Sequence, residues 1–217
     1  MLSLDFLVVN HVILIAFTVT SALLALSPGP DNIFVLTQSL AHGVRSGIAV
    51  VLGLVSGCII HTTLLAFGVS EVIKRNDNLF MAIKIAGALY LVYLAYKVYV
   101  SDAKINVSSS ENAKRKGKTK LFWTGFTMNV LNPKVTIFFL AFFPGFLFSD
   151  SLNTVVQFYV LGLLFMLVTL FVFGSIAVLS GSISRFTMQH PKTGDFFKWM
   201  QIVVFLGIAV YLFISDK

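Results

Sequence analysis

Six apolar stretches, read as membrane-crossing helices of about 20 residues each, dominate this chain. They cover approximately residues 6–26 (interrupted by Ser27-Pro28-Gly29-Pro30-Asp31 and resuming over 33–36), 46–72, 79–100, 121–148 (interrupted at Asn132-Pro133-Lys134), 155–179 and 199–214. Composition agrees. Of 217 residues, 57% are hydrophobic and only 12% charged, against about 25% charged in soluble domains. So few charges could not cover a water-facing surface. The expected fold is an all-α integral membrane protein of six transmembrane helices, a single membrane domain spanning 1–217. Low charge and 22 phenylalanines exclude disorder. The single Cys58 excludes a disulfide framework and a Cys-based redox or metal site.

Ala25-Leu26-Ser27 has the look of a signal-cleavage site. The preceding MLSLD, however, lacks Lys and Arg and carries Asp5, so the first span is read as retained. The net charge of +7 would suit nucleic acid, but its placement suits a membrane better. Eleven Lys and Arg fall on one set of loops, most of them in 101–120 (SDAKINVSSSENAKRKGKTK), which reads as a mobile polar linker. Four (Lys74, Arg75, Lys84 and Lys217) fall on the other side. The positive-inside rule therefore puts loop 101–120 in the cytoplasm and both termini outside. No nucleic-acid partner is expected; the lipid bilayer is.

That loop separates two halves, about 1–100 and 121–217, with three spans each. Setting Pro30 against Pro133 aligns Pro30-Asp31-Asn32-Ile33-Phe34 with Pro133-Lys134-Val135-Thr136-Ile137, and the later spans then correspond. Three spans is an odd number, so the halves read as inverted repeats whose first helices are both broken by proline. Such paired breaks point to a transport site near the bilayer midplane.

Physical reasons favour a site there. Pro28 and Pro30 free carbonyls near Leu24 and Leu26, and Pro133 does the same near Asn129. Inside a bilayer, freed carbonyls must be buried in protein or line a wet cavity, where they suit an ammonium group. The restarted half-helices offer N–H groups to a carboxylate. An amino acid carries both complementary groups. Asp31 and Lys134 occupy equivalent positions with opposite charge, and a lone charge at the bilayer centre costs at least ~2.5–3.5 kcal/mol. They are expected to pair and line the site, with Asp31 carrying a coupling proton; the alternatives are that the pair merely staples the halves together or that Asp31 merely caps a helix at the interface.

The motifs at these breaks resemble those of the LysE/RhtB family of amino-acid exporters over nearly the whole chain. Pro28-Gly29-Pro30-Asp31 is similar to its PGPD signature, and Gly47, Gly53 and Gly57 to the glycines of its second span. Lys84, Gly87, Ala88, Tyr90, Leu91, Tyr93 and Leu94 match its K-x-x-G-A-x-Y-L-x-Y-L stretch, and Asn129, Asn132, Pro133 and Lys134 its N-x-x-N-P-K run. Val135, Ala95 and Gly145 depart from the pattern. The resemblance implies efflux of amino acids or close derivatives across a bacterial inner membrane, driven by the proton gradient. Candidate substrate or coupling residues are then Pro28, Gly29, Pro30, Asp31, Asn32, Asn129, Asn132, Pro133 and Lys134. Secondary candidates are Lys84, His61, Tyr90 and Tyr93.

Smaller signals have plainer alternatives. Gly43-Val-Arg-Ser-Gly47 and Gly53-Leu-Val-Ser-Gly57 are small-xxx-small patterns, read as packing between spans, with a homodimer contact as the alternative. His61 reads as a hydrogen-bonded packing group or a proton relay. Lys84 lies close enough to a span end to snorkel. Tyr90 and Tyr93 are candidates for a cavity wall; Gln157, Thr169 and Ser175 are either polar lining or interhelical bonds. Ser56 and His61 diverge on their helix and no G-x-S-x-G elbow or P-loop exists. No enzyme, cofactor or metal is therefore expected. Export of another small solute or metal ion, or a non-transporting sensor, are the competing functions.

Overall fold

A computed structural model describes residues 10–27, 29–69, 77–101, 117–149, 151–189 and 193–214. Pro28, most of loop 101–120 and the residues preceding Asn10 lie outside the described residues.

The apolar stretches form helices because an unpaired N–H or C=O in hydrocarbon costs several kcal/mol, which helical pairing avoids. In chain order they are α1 (His11–Leu26), α2 (Pro30–His42), α3 (Val44–Leu64), α4 (Asp77–Val100), α5 (Lys118–Val130), α6 (Pro133–Ile137), α7 (Thr154–Val178), α8 (Ser180–Gln189) and α9 (Thr193–Ile214). A π-helical turn, Leu65–Val69, extends α3. A π-helical turn (Phe138–Phe142) and a 3-10 turn (Phe143–Phe146) extend α6. Among the described residues there is no strand.

Four helices are individually long and apolar enough to cross a membrane: α3, α4, α7 and α9. The pairs α1–α2 and α5–α6 each satisfy that test jointly, bent by 61° and 49°. The chain is thus a multi-pass membrane protein of about six spans, two of them broken where the prolines fall.

Three sequence expectations shift. Lys118–Lys120 form the first turn of α5 rather than the end of a linker. Residues 180–189, expected as loop, form α8, an amphipathic helix with four hydroxyl side chains. The last span begins at Thr193, well before Trp199, because Asp195 complements its N-terminal dipole.

The spans of the two halves interlock. α3 lies along α5, α4 along α9, α1 along α7, and α3 also meets α7. Glycines set the closest of these contacts. A Cβ on Gly53 would strike the backbone of Phe122 and Phe126, and one on Gly125 the backbone of Val50. Gly57 leaves room for the Asn129 side chain. The 53–57 pattern therefore packs α3 onto α5 within the chain. Gly43, at φ 86, makes the tight junction between α2 and α3 that a Cβ-bearing residue would resist.

Two apolar cores pack the helices. One gathers Phe138, Phe139, Phe142, Phe143, Phe146 and Phe165 with Phe17 and Phe205. The other joins Val35, Val50, Leu54, Leu121, Val172 and Phe173. Outward faces such as Phe171 (76% exposed) and Ile214 (72%) are apolar too, as lipid-facing surface must be.

Candidate functional site at the two helix breaks

The site is built from chain that cannot stay helical. Ser27 leaves α1 with extended backbone (φ −62°, ψ 115°), Gly29 is fully extended, and Pro30 opens α2 as its first residue. Proline fits that position because its missing N–H would have had no helical partner. In the second half Asn132 plays the part of Gly29. Its side chain accepts a hydrogen bond from the Lys134 N–H (3.0 Å), capping α6 ahead of Pro133.

The freed carbonyls appear where proline chemistry places them, but they do not stand bare. Lys134 Nζ donates to Leu24 O (3.4 Å) and Ser27 O (3.3 Å), reaching from the second half to the end of α1. Asn32 Nδ2 donates to Ala25 O (2.7 Å). Across the site, Asn129 O receives the Asn132 N–H (3.0 Å) and lies 3.2 Å from His61 Nε2. A cation at the carbonyl end of a helix is favourable, and so is Asp31 in the first turn of α2.

Asp31 and Lys134 are brought to the same cavity, although no hydrogen bond joins them. Asp31 Oδ2 instead accepts from Asn132 Nδ2 (2.7 Å), a bond that crosses between the halves, while Oδ1 is buried without a partner. The expected direct pairing gives way because each charge finds a closer neutral partner. Backbone carbonyls suit three ammonium protons, and an amide N–H suits a carboxylate. The two charges still lie close enough to act on each other.

Gly29, Pro30, Asp31, Asn32, Asn129, Asn132 and Lys134 all line this cavity, closed off by Phe165, Thr169 and Phe173 of α7. Its volume of about 40 Å³ admits a few waters, well below the ~300 Å³ at which ligand pockets begin. Thr169 Oγ1 is buried and unpartnered. The sequence had left Thr169 undecided between lining and packing; nothing in a single polar residue on an apolar helix tells which side it faces. Phe165 and Phe173 carried no sequence signal at all, being two of many phenylalanines.

The secondary candidates divide. His61 is buried (5% exposed), bonded to Asn129 and packed on Phe139 at 5.4 Å, so it supports the second break from behind. Lys84 does not snorkel. It is 3% exposed with Nζ 5.9 Å from the Phe80 ring, since it shares its helix face with the buried Ala88, Leu91 and Ala95. Tyr90 is half-buried and Tyr93 is 49% exposed; their rings lie 6.0 Å apart, away from the cavity. Gln157 ties the turn before α7, bonding Phe148, Ser149 and Leu152. Ser175 bonds back to Phe171 O within its own helix. Among the described residues no group of His, Cys, Asp or Glu could hold a metal ion.

A family model described as LysE type translocator matches residues 22–216. The chain belongs to the LysE family. Within that family it is 31% identical over 177 residues to the homoserine/homoserine lactone efflux protein of Salmonella typhimurium (82% of this chain, 84% of that one). It is 28% identical to the leucine efflux protein of Klebsiella pneumoniae over 209 residues, 96% of each chain. The leucine efflux protein of an Enterobacter species is 26% identical over 197 residues, 90% of this chain and 92% of that one. No solved structure matches it significantly.

Proposed function

We propose that this LysE-family protein is a secondary exporter of amino acids or close derivatives, moving them out of the cytoplasm across a bacterial inner membrane in exchange for protons. It works as a carrier, without enzymatic chemistry. The observation that carries this reading is the convergence of an acid and a base, Asp31 and Lys134, from two separately broken helices on one small cavity. The efflux names of its relatives support the same substrate class.

In this reading the cargo's amino group faces Asp31 and its carboxylate faces Lys134, so the site reads the groups shared by all amino acids. Asp31, with one oxygen unpartnered, carries the coupling proton. Loss of its charge weakens the hold on the cargo's ammonium and lets the cargo leave. The 40 Å³ cavity belongs to a closed state, and passage requires the α1–α2 and α5–α6 segments to part.

The interlocking of the spans supports two inverted halves, about 1–100 and 121–217. A two-fold that exchanges them maps the α3–α5 contact onto the α7–α1 contact and leaves α4–α9 and α3–α7 self-paired. The charge distribution supports a cytoplasmic loop 101–120 with both termini outside.

The test is a panel efflux assay. Cells producing the chain, and cells producing Asp31→Ala, are loaded with amino acids through dipeptides and their medium is profiled. Selective outward accumulation, absent from the Asp31→Ala cells and collapsed by a protonophore, is the expected result. An unchanged profile across the panel, with the protein in the membrane, overturns the reading.

A further inference from the structure

The Lys134 ammonium occupies a defined cage. Two of its protons point to Leu24 O and Ser27 O, at 3.4 and 3.3 Å, and Nζ lies 5.2 Å from the centre of the Phe205 ring on α9. The backbone of Gly29 forms a further wall: a Cβ built there would sit 3.9 Å from Nζ. Carbonyl oxygens and an aromatic face are the groups that hold an alkylammonium ion, and none of them depends on the lysine for its position. Leu24 and Ser27 are held by α1 and its end, and Phe205 is 1% exposed within the phenylalanine core. Beside the cage, Asp31 Oδ1 is buried without a donor. A second ammonium entering the cavity would find that oxygen unclaimed and the cage already filled.

We infer that Leu24 O, Ser27 O and the Phe205 ring form a primary-alkylammonium site which Lys134 fills as an internal ligand. Lys134 is thus a stand-in for an external amine, tethered to the opposite half. Vacating the cage frees Lys134 to meet a carboxylate and lets the amino group of the cargo, facing Asp31 in the same cavity, bond to the cage carbonyls as well. That last role rests on the export reading above, whereas the site itself does not. The bond also works as a latch, since Lys134 in place ties α6 to the end of α1, and releasing it leaves the Asp31–Asn132 bond as the side-chain tie across the cavity.

Thermal unfolding of the purified full chain in lipid nanodiscs tests the site without any flux. The probe is n-butylammonium chloride against sodium chloride at equal ionic strength. The expected result is that Lys134→Ala melts lower than the parent protein and regains several degrees with butylammonium, saturably, while the parent does not respond. Adding Phe205→Leu to Lys134→Ala should raise the butylammonium concentration needed several-fold. An equal response of parent and Lys134→Ala, or none in either, overturns the inference. If Lys134→Ala does not fold alone, recovery of monodisperse protein when butylammonium is present throughout purification supports the site, and equal loss with and without it overturns it. Since no step measures transport, a silent efflux panel would sink the export reading and leave this result standing.

Discussion

Both helix breaks fall at a proline, and their structures differ. The second supplies most of its own bonds. Asn132 caps its own half-helix through the Lys134 N–H, and the Asn129 carbonyl takes the Asn132 N–H, with His61 of α3 as a further partner from the first half. The first has no such local economy. Gly29 supplies no side-chain cap, and the Leu24 and Ser27 carbonyls are met by a lysine from the other half; only Asn32 is a local donor. Beyond the break, α2 runs on as a regular helix, whereas α6 overwinds and underwinds through stacked phenylalanines. The asymmetry teaches that one break is closed mainly by its own residues and the other mainly by a lysine from across the cavity.

The largest expected effect separates the charges from the scaffold. Asp31→Asn and Lys134→Ala should each lower efflux by at least ten-fold while the protein still reaches the membrane; near-parental flux in either, measured by counterflow in vesicles, would remove that residue from the mechanism. The Asp31→Lys/Lys134→Asp exchange should not restore folding. It would set an ammonium against the Asn132 N–H and a carboxylate against the Leu24 and Ser27 carbonyls. Better melting of the exchanged protein than of either single reversal would show instead that direct pairing dominates.

Next in size is the scaffold itself. Gly125→Ala drives a methyl into the Val50 backbone and should cost about 3 kcal/mol, the upper range for overpacking because backbone cannot rotate aside. Gly57→Ala meets the Asn129 side chain, which can move, so its loss should be smaller, about 1–2 kcal/mol. Equal melting of the two variants would contradict the close α3–α5 crossing.

Asn132→Ala removes both the cap of α6 and the partner of Asp31, and should destabilise by about 2–3 kcal/mol. Asn32→Ala removes one bond at the first break, about 1 kcal/mol. Chemical denaturation in mixed micelles ranks them; the reverse order would mean that the first break, not the second, is the rigid one. His61→Phe has the smallest effect, about 1 kcal/mol with a few-fold loss of flux, because Asn129 O keeps its bond to the Asn132 N–H.

Much of this architecture was legible from residue order. Six apolar stretches announced six spans, since hydrocarbon thickness sets helix length whatever the packing. Pro30 and Pro133 announced the breaks, since a missing N–H is a local fact. Asp31 and Lys134 stood out because charge is rare inside a membrane. Residue order gives neither the burial of Lys84 nor the side that Thr169 faces, because which way a helix face turns depends on its neighbours. The helix α8 was overlooked because its polar face resembles loop composition.

What the sequence determined by itself were the quantities governed by single residues and by the solvent: the spans, the breaks, and which charges had to be accommodated. Only the tertiary structure decided the partners. Whether Asp31 meets Lys134 or Asn132, and whether a freed carbonyl stays bare or accepts a lysine 110 positions away, depends on how the spans pack around the breaks. Such contacts, like the close α3–α5 crossing at Gly53, Gly57 and Gly125, join residues far apart in the chain, and no local rule of chain chemistry contains them.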